Sequence, residues 1–582
     1  MNKNRNQIHA ESPYTYIKRP TNEVITLKIF IAKKGTTLRK VAHNHKVDLK
    51  KLIDHNPHLS HPDEDISGQK VKVPSLPKLV TVNRNRQITN ETIVPTYEDC
   101  PPSPDIEFLD HWFPLTSLED MEKIHYDVII IGSGAGGGAA LWRLCEQWQN
   151  EGKRIAVLER GDLLLPTHVA NLPTAKTAGK FLQNPAFHIP RAEEWPEFPG
   201  AKQFFGLGGR TLQWGGAVPR FHPADFREWP LKLDDLVQYY QIAEQVMKVT
   251  TAFIRDSDLH YTLLERLRKN GYHDATTIPR TLDLHESEYG QIRSNVLFSS
   301  IEFIAWAFNW NPFDLAVRAN VVKILHENGK ARGVQVMSPD LKSYTIHGKN
   351  VVVSGSTFET PRLLLHSGIP GKAIGRYLIN HSFVSTRGFV AREDFEEVLG
   401  IANILLPSSK ERPYQIQVHG PFPYEFYAYE TKPLMTELEI SLFGFGIVEP
   451  NRDNRVVLDQ TNVDTYGVPK LNVHFSYGAQ DLAVIEQMVD EMHKAIESMN
   501  LDNITSPCLF PPGLDFHEAG TCRMGIDPST SVTNEFGQVH GMSGLFVADN
   551  SILPFMGGAN PTLTTIAIAM RTADYIVEKE TR

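Results

Sequence analysis

Two short runs near the C-terminus carry the residue types best suited to moving a proton: "FHEAGTCRMG" at 516–525, which contains His517, and "GGANPTLT" at 557–564, which contains Asn560. An imidazole is close to neutral at physiological pH and can take a proton from a hydroxyl. A carboxamide beside it can orient that hydroxyl without competing for the proton. Pro561 and Thr562 follow Asn560, so a helix is expected to begin at Pro561 with Asn560 as its cap. The positive end of such a helix would stabilise negative charge developing next to it. A solitary His is more often structural than catalytic, so the pair needs a reactive partner held by the rest of the chain. His540, in "FGQVHGMSG", falls between a turn and the last strand and is expected to be structural.

The elements that would hold such a partner are legible upstream. "YDVIIIGSGAGGGAALWRL" reads as a buried strand over 126–131, a glycine turn, and a helix from about Ala135. In this Gly-x-Gly-x-x-Gly pattern Gly132 permits the tight turn, Gly134 lets backbone approach a pyrophosphate, and Gly137 lets the helix pack against the strand. "KRIAVLERGD" supplies a second strand ending at Glu159, the offset at which an acidic side chain meets ribose hydroxyls, which argues against a 2′-phosphate ligand. NAD and FAD both use this βαβ unit, and the fingerprint alone does not separate them. A second glycine-rich run, "FGLGGRTLQWGGAVPRF" at 205–221, brings Gly209 and Trp214 and suits a flat ring system. "GKNVVVSGSTFETPRLLLHSGI" at 348–369 reads as another buried strand with a helix starting near Pro361, and "GLFVADNSILP" as a final strand. The dinucleotide domain is therefore expected to be assembled from distant segments.

Bulk properties narrow the function. The chain has 582 residues, enough for about three or four units at roughly 150 residues each. A formal charge of −9 gives no field for a polyanion, so nucleic acid is not an expected partner. Four cysteines without a Cys-x-x-Cys pair indicate neither a zinc site nor a disulfide framework, and are expected to be buried thiols. No metal site is expected, and Gly-x-Ser-x-Gly, His-Glu-x-x-His and P-loop patterns are all missing. The N-terminal residues lack an apolar core of signal-peptide type, so a cytoplasmic protein is the default expectation. The most apolar run, 128–142, is too short and glycine-rich to span a bilayer.

Residues 24–74 read as strand, helix, helix, strand, with Thr36 or Thr37 ahead of Leu38, Val41 and Ala42 on one helical face. Within this stretch "KGTTL", "NP" and "GQKVKVP" resemble the pattern of a LysM module. That resemblance implies binding of peptidoglycan or chitin-type glycans, and with it an association with a cell wall or spore surface. Residues 76–125 are polar and proline-rich and read as a linker.

From residue 121 onward the chain resembles the glucose-methanol-choline (GMC) family of flavin oxidoreductases. The resemblance is carried by "GSGAGG" with "VLERGD", by "GLGGRTLQWGG", by "SGSTFETPRLLLHSG", and by "HEAGTCRMG" with "GGANPT". It implies FAD as cofactor and hydride transfer from a CH–OH group to flavin N5, with His517 as base and Asn560 as its partner. It is closest to the pyranose oxidase and gluconate dehydrogenase branch, which implies a sugar, glycoside or other alcohol as substrate. By the same resemblance Asp549 contacts the flavin and Val322 lies at the adenine end. Some members bind FAD covalently through a His in the loop that here reads "TLQW"; Gln213 stands there, so the flavin is expected to be non-covalent.

The expected fold is an α/β FAD-binding Rossmann-type domain with a sheet-based substrate-binding cap, preceded by a small βααβ LysM domain. The expected boundaries are a tail over 1–23, the LysM-like module over 24–75, a linker over 76–120 and the oxidoreductase over 121–582. FAD-binding segments are expected at about 121–221, 317–369 and 505–582, and substrate segments at about 222–316 and 370–504. In the substrate part, Phe422, Tyr424, Phe426 and Tyr427 of "GPFPYEFYAYE" are available to stack on a sugar ring. Two other readings stay open at this stage. One is the flavoprotein subunit of a dehydrogenase complex, passing electrons to a partner cytochrome or quinone; the other is a wall or coat protein with a residual flavin fold.

Overall fold

Apolar strands of the type "DVIII" and "NVVV" are buried on both faces, and such strands form the centre of a parallel sheet covered by helices. The computed structural model describes residues 26–59, 61–75, 113–149, 151–172, 188–254, 257–287, 290–395, 400–422 and 435–581. In it the strands Asp314–Ala316, Ile155–Leu158, His125–Ile131 and Ser343–Val353 lie side by side and parallel. Leu545–Val547 joins in parallel on the far edge of Ser343–Val353, which also pairs antiparallel with Lys330–Met337, itself paired with Asn320–Glu327. The helices Ala135–Trp148 and Thr562–Thr581 pack together against this sheet, and Ser300–Ala307 packs on the first of them. Segments more than 400 residues apart in sequence thus build one domain.

The second sheet of this unit is antiparallel. Its order is Cys508–Leu509, Ser382–Ala391, Glu437–Gly446, Tyr414–Gly420, Ala402–Leu406, Thr276–Thr277. Strand alternation sends Ile404, Ile416, Val418, Ile440 and Leu442 to one face, where helices Asp258–Lys269 and Ala479–Ser498 close a separate apolar core with Leu263, Met488 and Met492. The opposite face receives Gln415, Gln417, His419, Phe443 and Phe445, of which Gln417, His419 and Phe443 line a cavity.

Residues 26–75 form a unit with its own core of Leu38, Val41, Leu52, Leu59, Ile66, Val71 and Val73. Strand Thr26–Ile31 pairs antiparallel with Lys70–Ser75, and helices Leu38–His45 and Leu49–Asp54 lie between them in sequence, the expected βααβ order. Thr37 and Asp48 cap the two helices by accepting from the Lys40 and Lys51 amides at 3.3 and 3.0 Å. The buried Asn56 ties helix to strand: its amide donates to the Leu52 and Lys72 carbonyls, and its oxygen accepts from the Lys72 N–H, each at 2.7 Å.

Several expectations change. The helix expected near Pro361 begins at Ser356, and Pro361 lies inside it. The Thr357 carbonyl, which loses the partner that a proline nitrogen cannot supply, accepts instead from the Thr521 hydroxyl at 2.6 Å. Within the 222–316 stretch, Leu236, Tyr240, Phe303 and Leu315 pack in the same apolar core as the strands of the parallel sheet. Cys145 and Cys522 are buried, but Cys508 is exposed. The 1–23 tail, most of the linker with Cys100, and Tyr424, Phe426 and Tyr427 lie outside the described residues. Among the described residues no helix is long and apolar enough to cross a membrane.

Candidate active site

A cavity of about 800 Å³ runs between the two sheets of the larger unit. One end is the glycine turn after strand His125–Ile131. Gly132 has φ +92°, and a Cβ there would meet the Ser354 carbonyl oxygen at 2.4 Å. Gly134 and Gly209 bring two glycine loops into contact, since a Cβ on Gly209 would stand 2.9 Å from the Gly134 Cα. Gly137 does what its position predicts, because a Cβ on it would lie 2.0 Å from the Gly132 carbonyl oxygen and hold helix away from turn. The helix Ala135–Trp148 therefore points its unpaired N–H groups into the cavity. Glu159 is buried at this end, where its carboxylate accepts from the Ser133 amide and hydroxyl at 3.0 and 2.6 Å and from the Gly161 amide at 2.7 Å.

Trp214 lines the middle of the cavity, held by its indole N–H donating to the Phe298 carbonyl at 2.8 Å. Asp549 lines it as well, but its carboxylate is taken up by the Ser356 and Ser551 amides at 2.8 and 2.9 Å and by the Thr360 and Ser551 hydroxyls. Val322 does not line the cavity; its neighbours Asn320 and Val321 do. Thr562 lines the wall and Pro561 does not.

At the other end His517 Nε2 stands 3.3 Å from the Asn560 amide nitrogen. Asn560 does not cap the helix that follows it. Its oxygen accepts from Gln415 Nε2 at 2.9 Å and from Gln417 Nε2 at 2.6 Å, which turns its NH₂ group toward His517. His517 is set by Phe516, whose φ of +60° is strained for a bulky residue and is the kind of conformation that persists where a site demands it. Arg210 secures the same turn by donating to Glu518 at 2.9 Å and to the Phe516 carbonyl at 3.3 Å. Burial, with His381 and Arg210 close by, holds His517 well below the ordinary imidazole range, so it is neutral and able to accept a proton.

Beside His517 lie His381, which does not line the cavity, and Asp515, which does. The three side chains offer ligand atoms within 4.8 Å of one another, a spacing a metal ion would also accept. The His381 and His517 Nδ1 atoms are 3.0 Å apart and His381 Nε2 lies 2.9 Å from the Gly557 carbonyl, distances that a hydrogen-bonded chain accounts for without an ion.

Two family models match this chain, both described as GMC oxidoreductase, over residues 203–383 and 450–569. It is 30% identical over 518 residues to a C-glycoside 3-oxidase of Arthrobacter globiformis, a match covering 78% of this chain and 95% of that one. The chain belongs to the GMC oxidoreductase family. A 2-methyl-1,2-propanediol dehydrogenase of Mycolicibacterium austroafricanum is 25% identical over 536 residues, 77% of this chain and 95% of the relative. Among solved structures, pyridoxine 4-oxidase from Mesorbium loti shares the fold with a TM-score of 0.59 at 16% identity, over 78% of this chain and 99% of that one.

For a GMC oxidoreductase the cofactor is FAD, and the cavity of this one fits it. Its lining by both the glycine cradle and His517, the helix N-terminus beside it and the space at Gly134 that any side chain would fill are what an extended dinucleotide needs. Among the site residues of this GMC oxidoreductase, sequence reasoning missed Gln415, Gln417 and His419. The alternation in "YQIQVHG" marks a strand with one polar face, and that signal was there to find. His381 and Asp515 have no comparable signal, because only the tertiary fold brings "LINHSF" beside "LDFHEA".

Proposed function

We propose that this enzyme oxidises a CH–OH group of a sugar or glycoside, with His517 as the base and Asn560 as the group that orients the reacting hydroxyl. The observation that carries the reading is the convergence of His517 Nε2 and the Asn560 NH₂ group, 3.3 Å apart, in the wall of the cavity that the glycine cradle also lines. A substrate hydroxyl placed between them donates its proton to the neutral His517 nitrogen and accepts from Asn560 through its oxygen. Bound FAD supplies the hydride acceptor at the carbinol carbon. The cap sheet meets this point with the Gln417 amide and the His419 imidazole, next to Phe422 and Phe443. That mixture of hydrogen-bonding groups and rings suits a pyranose, with its ring of hydroxyls and its apolar face. The relative named as a C-glycoside oxidase supports the same substrate class.

Non-covalent attachment of FAD is part of the proposal. Gln213 lines the cavity, and so does His168, whose two ring nitrogens are both engaged, with the Trp214 carbonyl at 2.9 Å and the Ala170 amide at 3.0 Å. For residues 26–75 the βααβ order together with "KGTTL", "NP" and "GQKVKVP" supports a LysM-type module that holds the enzyme on a peptidoglycan or chitin-type surface.

The deciding experiment is anaerobic mixing of the holoprotein with monosaccharides, glycosides and simple alcohols while following the flavin absorbance, then admission of air. Bleaching by a sugar supports the proposal, and bleaching only by non-sugar alcohols refutes the substrate class. Fast return of the absorbance in air identifies an oxidase; slow return identifies a dehydrogenase that passes electrons to a partner or small acceptor.

A further inference from the structure

His381 occupies the residue just before strand Ser382–Ala391, is 1% exposed, and touches His517 without lining the cavity itself. Its Nε2 is 2.9 Å from the Gly557 carbonyl oxygen. A carbonyl only accepts, so the His381 proton must be on Nε2, and in a neutral ring the Nδ1 atom then carries a lone pair. That lone pair faces His517 Nδ1 at 3.0 Å. Two acceptors at this distance would repel, so His517 Nδ1 must bear a hydrogen and donate it to His381. His517 Nε2 is consequently left bare, aimed at the cavity and at the NH₂ group of Asn560. The Asn560 orientation is fixed independently by Gln415 and Gln417, and it agrees: an amide nitrogen next to His517 Nε2 requires an acceptor there.

We propose that His381 is a positioning residue for catalysis, which holds His517 in the tautomer whose cavity-facing nitrogen is free to take the substrate proton. This rests on the reading of His517 as the base. The alternative holder of the His517 Nδ1 proton is Asp515, whose Oδ2 is 3.5 Å from that atom and 3.9 Å from His381 Nδ1, and neither of whose oxygens has a hydrogen bond of ordinary geometry. The His381 nitrogen is nearer. Burial and the neighbouring Glu518 carboxylate also push the Asp515 acid up to about 8, which leaves it a poor anion at neutral pH. Burial likewise takes His381 down to about 4, so its Nδ1 is bare throughout the working range. When His517 accepts the substrate proton on Nε2, its Nδ1–H bond to His381 stays in place and the ring does not need to turn.

Two amide substitutions separate the jobs of the two ring nitrogens. In His381→Asn the side-chain oxygen can occupy the Nδ1 position and still accept from His517, while the reach to Gly557 is lost. In His381→Gln the NH₂ group can reach the Gly557 carbonyl, but no acceptor faces His517. The measurement is the rate of flavin bleaching at saturating substrate in the holoenzymes, with FAD content and melting temperature recorded for each. His381→Gln is expected to lose at least about tenfold in this rate, the lower range for misplacing a catalytic base, with little change in KM, whereas His381→Asn stays within a few-fold of the parent. Parental rates in both variants, equal losses in both, or loss in Asn with retention in Gln would each overturn the proposal; the last would make His381 a support for the Gly557 loop. Should the variants fail to retain FAD, the unsubstituted holoenzyme labelled with 15N-histidine gives a direct reading. The ring signals that vanish in His517→Ala must be those of an Nδ1–H tautomer, and an Nε2–H tautomer overturns the proposal. His517→Ala also separates the two levels of inference. If it still bleaches with substrate, the base assignment itself fails; if it does not while both His381 variants are parental, only the role of His381 fails.

Discussion

In the proposed role of base His517 has to be neutral, and the physical causes of that neutrality are burial and the nearby Arg210 cation rather than the residue type. The sign follows directly: lowering the pH protonates the base and stops turnover, and a depressed pKa moves that loss to lower pH. The acid limb of kcat/KM is therefore expected below about 6.5, the value of a free imidazole. A limb at or above that value in a pH series on one sugar would contradict the burial argument. His517→Ala should cost about 10²- to 10⁴-fold in turnover, the range for removing a general base, while the protein keeps its flavin. Loss of FAD together with activity would mean that the residue shapes the cradle instead. The identity of this pair could be read from two short runs of sequence. Its exact partners could not, since Gln415 and Gln417 come from a strand more than 100 residues away and act by turning the Asn560 amide.

Among the elements, the glycine turn and its helix are the proposed cofactor cradle, and their tolerance is steric. Gly137→Val places new atoms where the Gly132 carbonyl already stands, with even the Cβ only 2.0 Å away. Overpacking of this kind costs roughly 1–3 kcal/mol or more, and here it separates the helix N-terminus from the cavity. The expected result is purified protein with little flavin and a lowered melting temperature; a yellow, normally stable variant would show that the turn has room to adjust. The cap sheet follows a different rule. Alternation divides it into an apolar face, packed by helices Asp258–Lys269 and Ala479–Ser498, and a polar face that lines the cavity through Gln417 and His419. Substitutions on the first face should act on stability, and those at Gln417 on KM and substrate choice.

On the scale of the whole molecule, residues 26–75 carry an apolar core of their own, distinct from the cores of the oxidoreductase. Deleting residues 1–75 should therefore leave flavin content and sugar-dependent bleaching close to parental. The same deletion should abolish co-sedimentation with insoluble peptidoglycan or chitin. Retained co-sedimentation would refute the role given to the module. Precipitation with acid tests the attachment of FAD: yellow supernatant is expected, and colour remaining in the pellet would show a covalent bond that Gln213 does not form.

What the sequence determined by itself was everything governed by local rules. Continuous apolar runs, glycines at turn spacing and a terminal acid were sufficient to place the strand, turn and helix of the dinucleotide unit, and Glu159 after its second strand. The helix of 356–366 was misread by five residues, because a proline inside a helix is tolerated only when another donor, here Thr521, serves the orphaned carbonyl. Only the tertiary structure decided what stands beside His517. His381 and Asp515 meet it through contacts spanning up to 136 residues, and hydrogen-bond direction and burial, which set the tautomer and charge of a base, exist only once those segments are packed together.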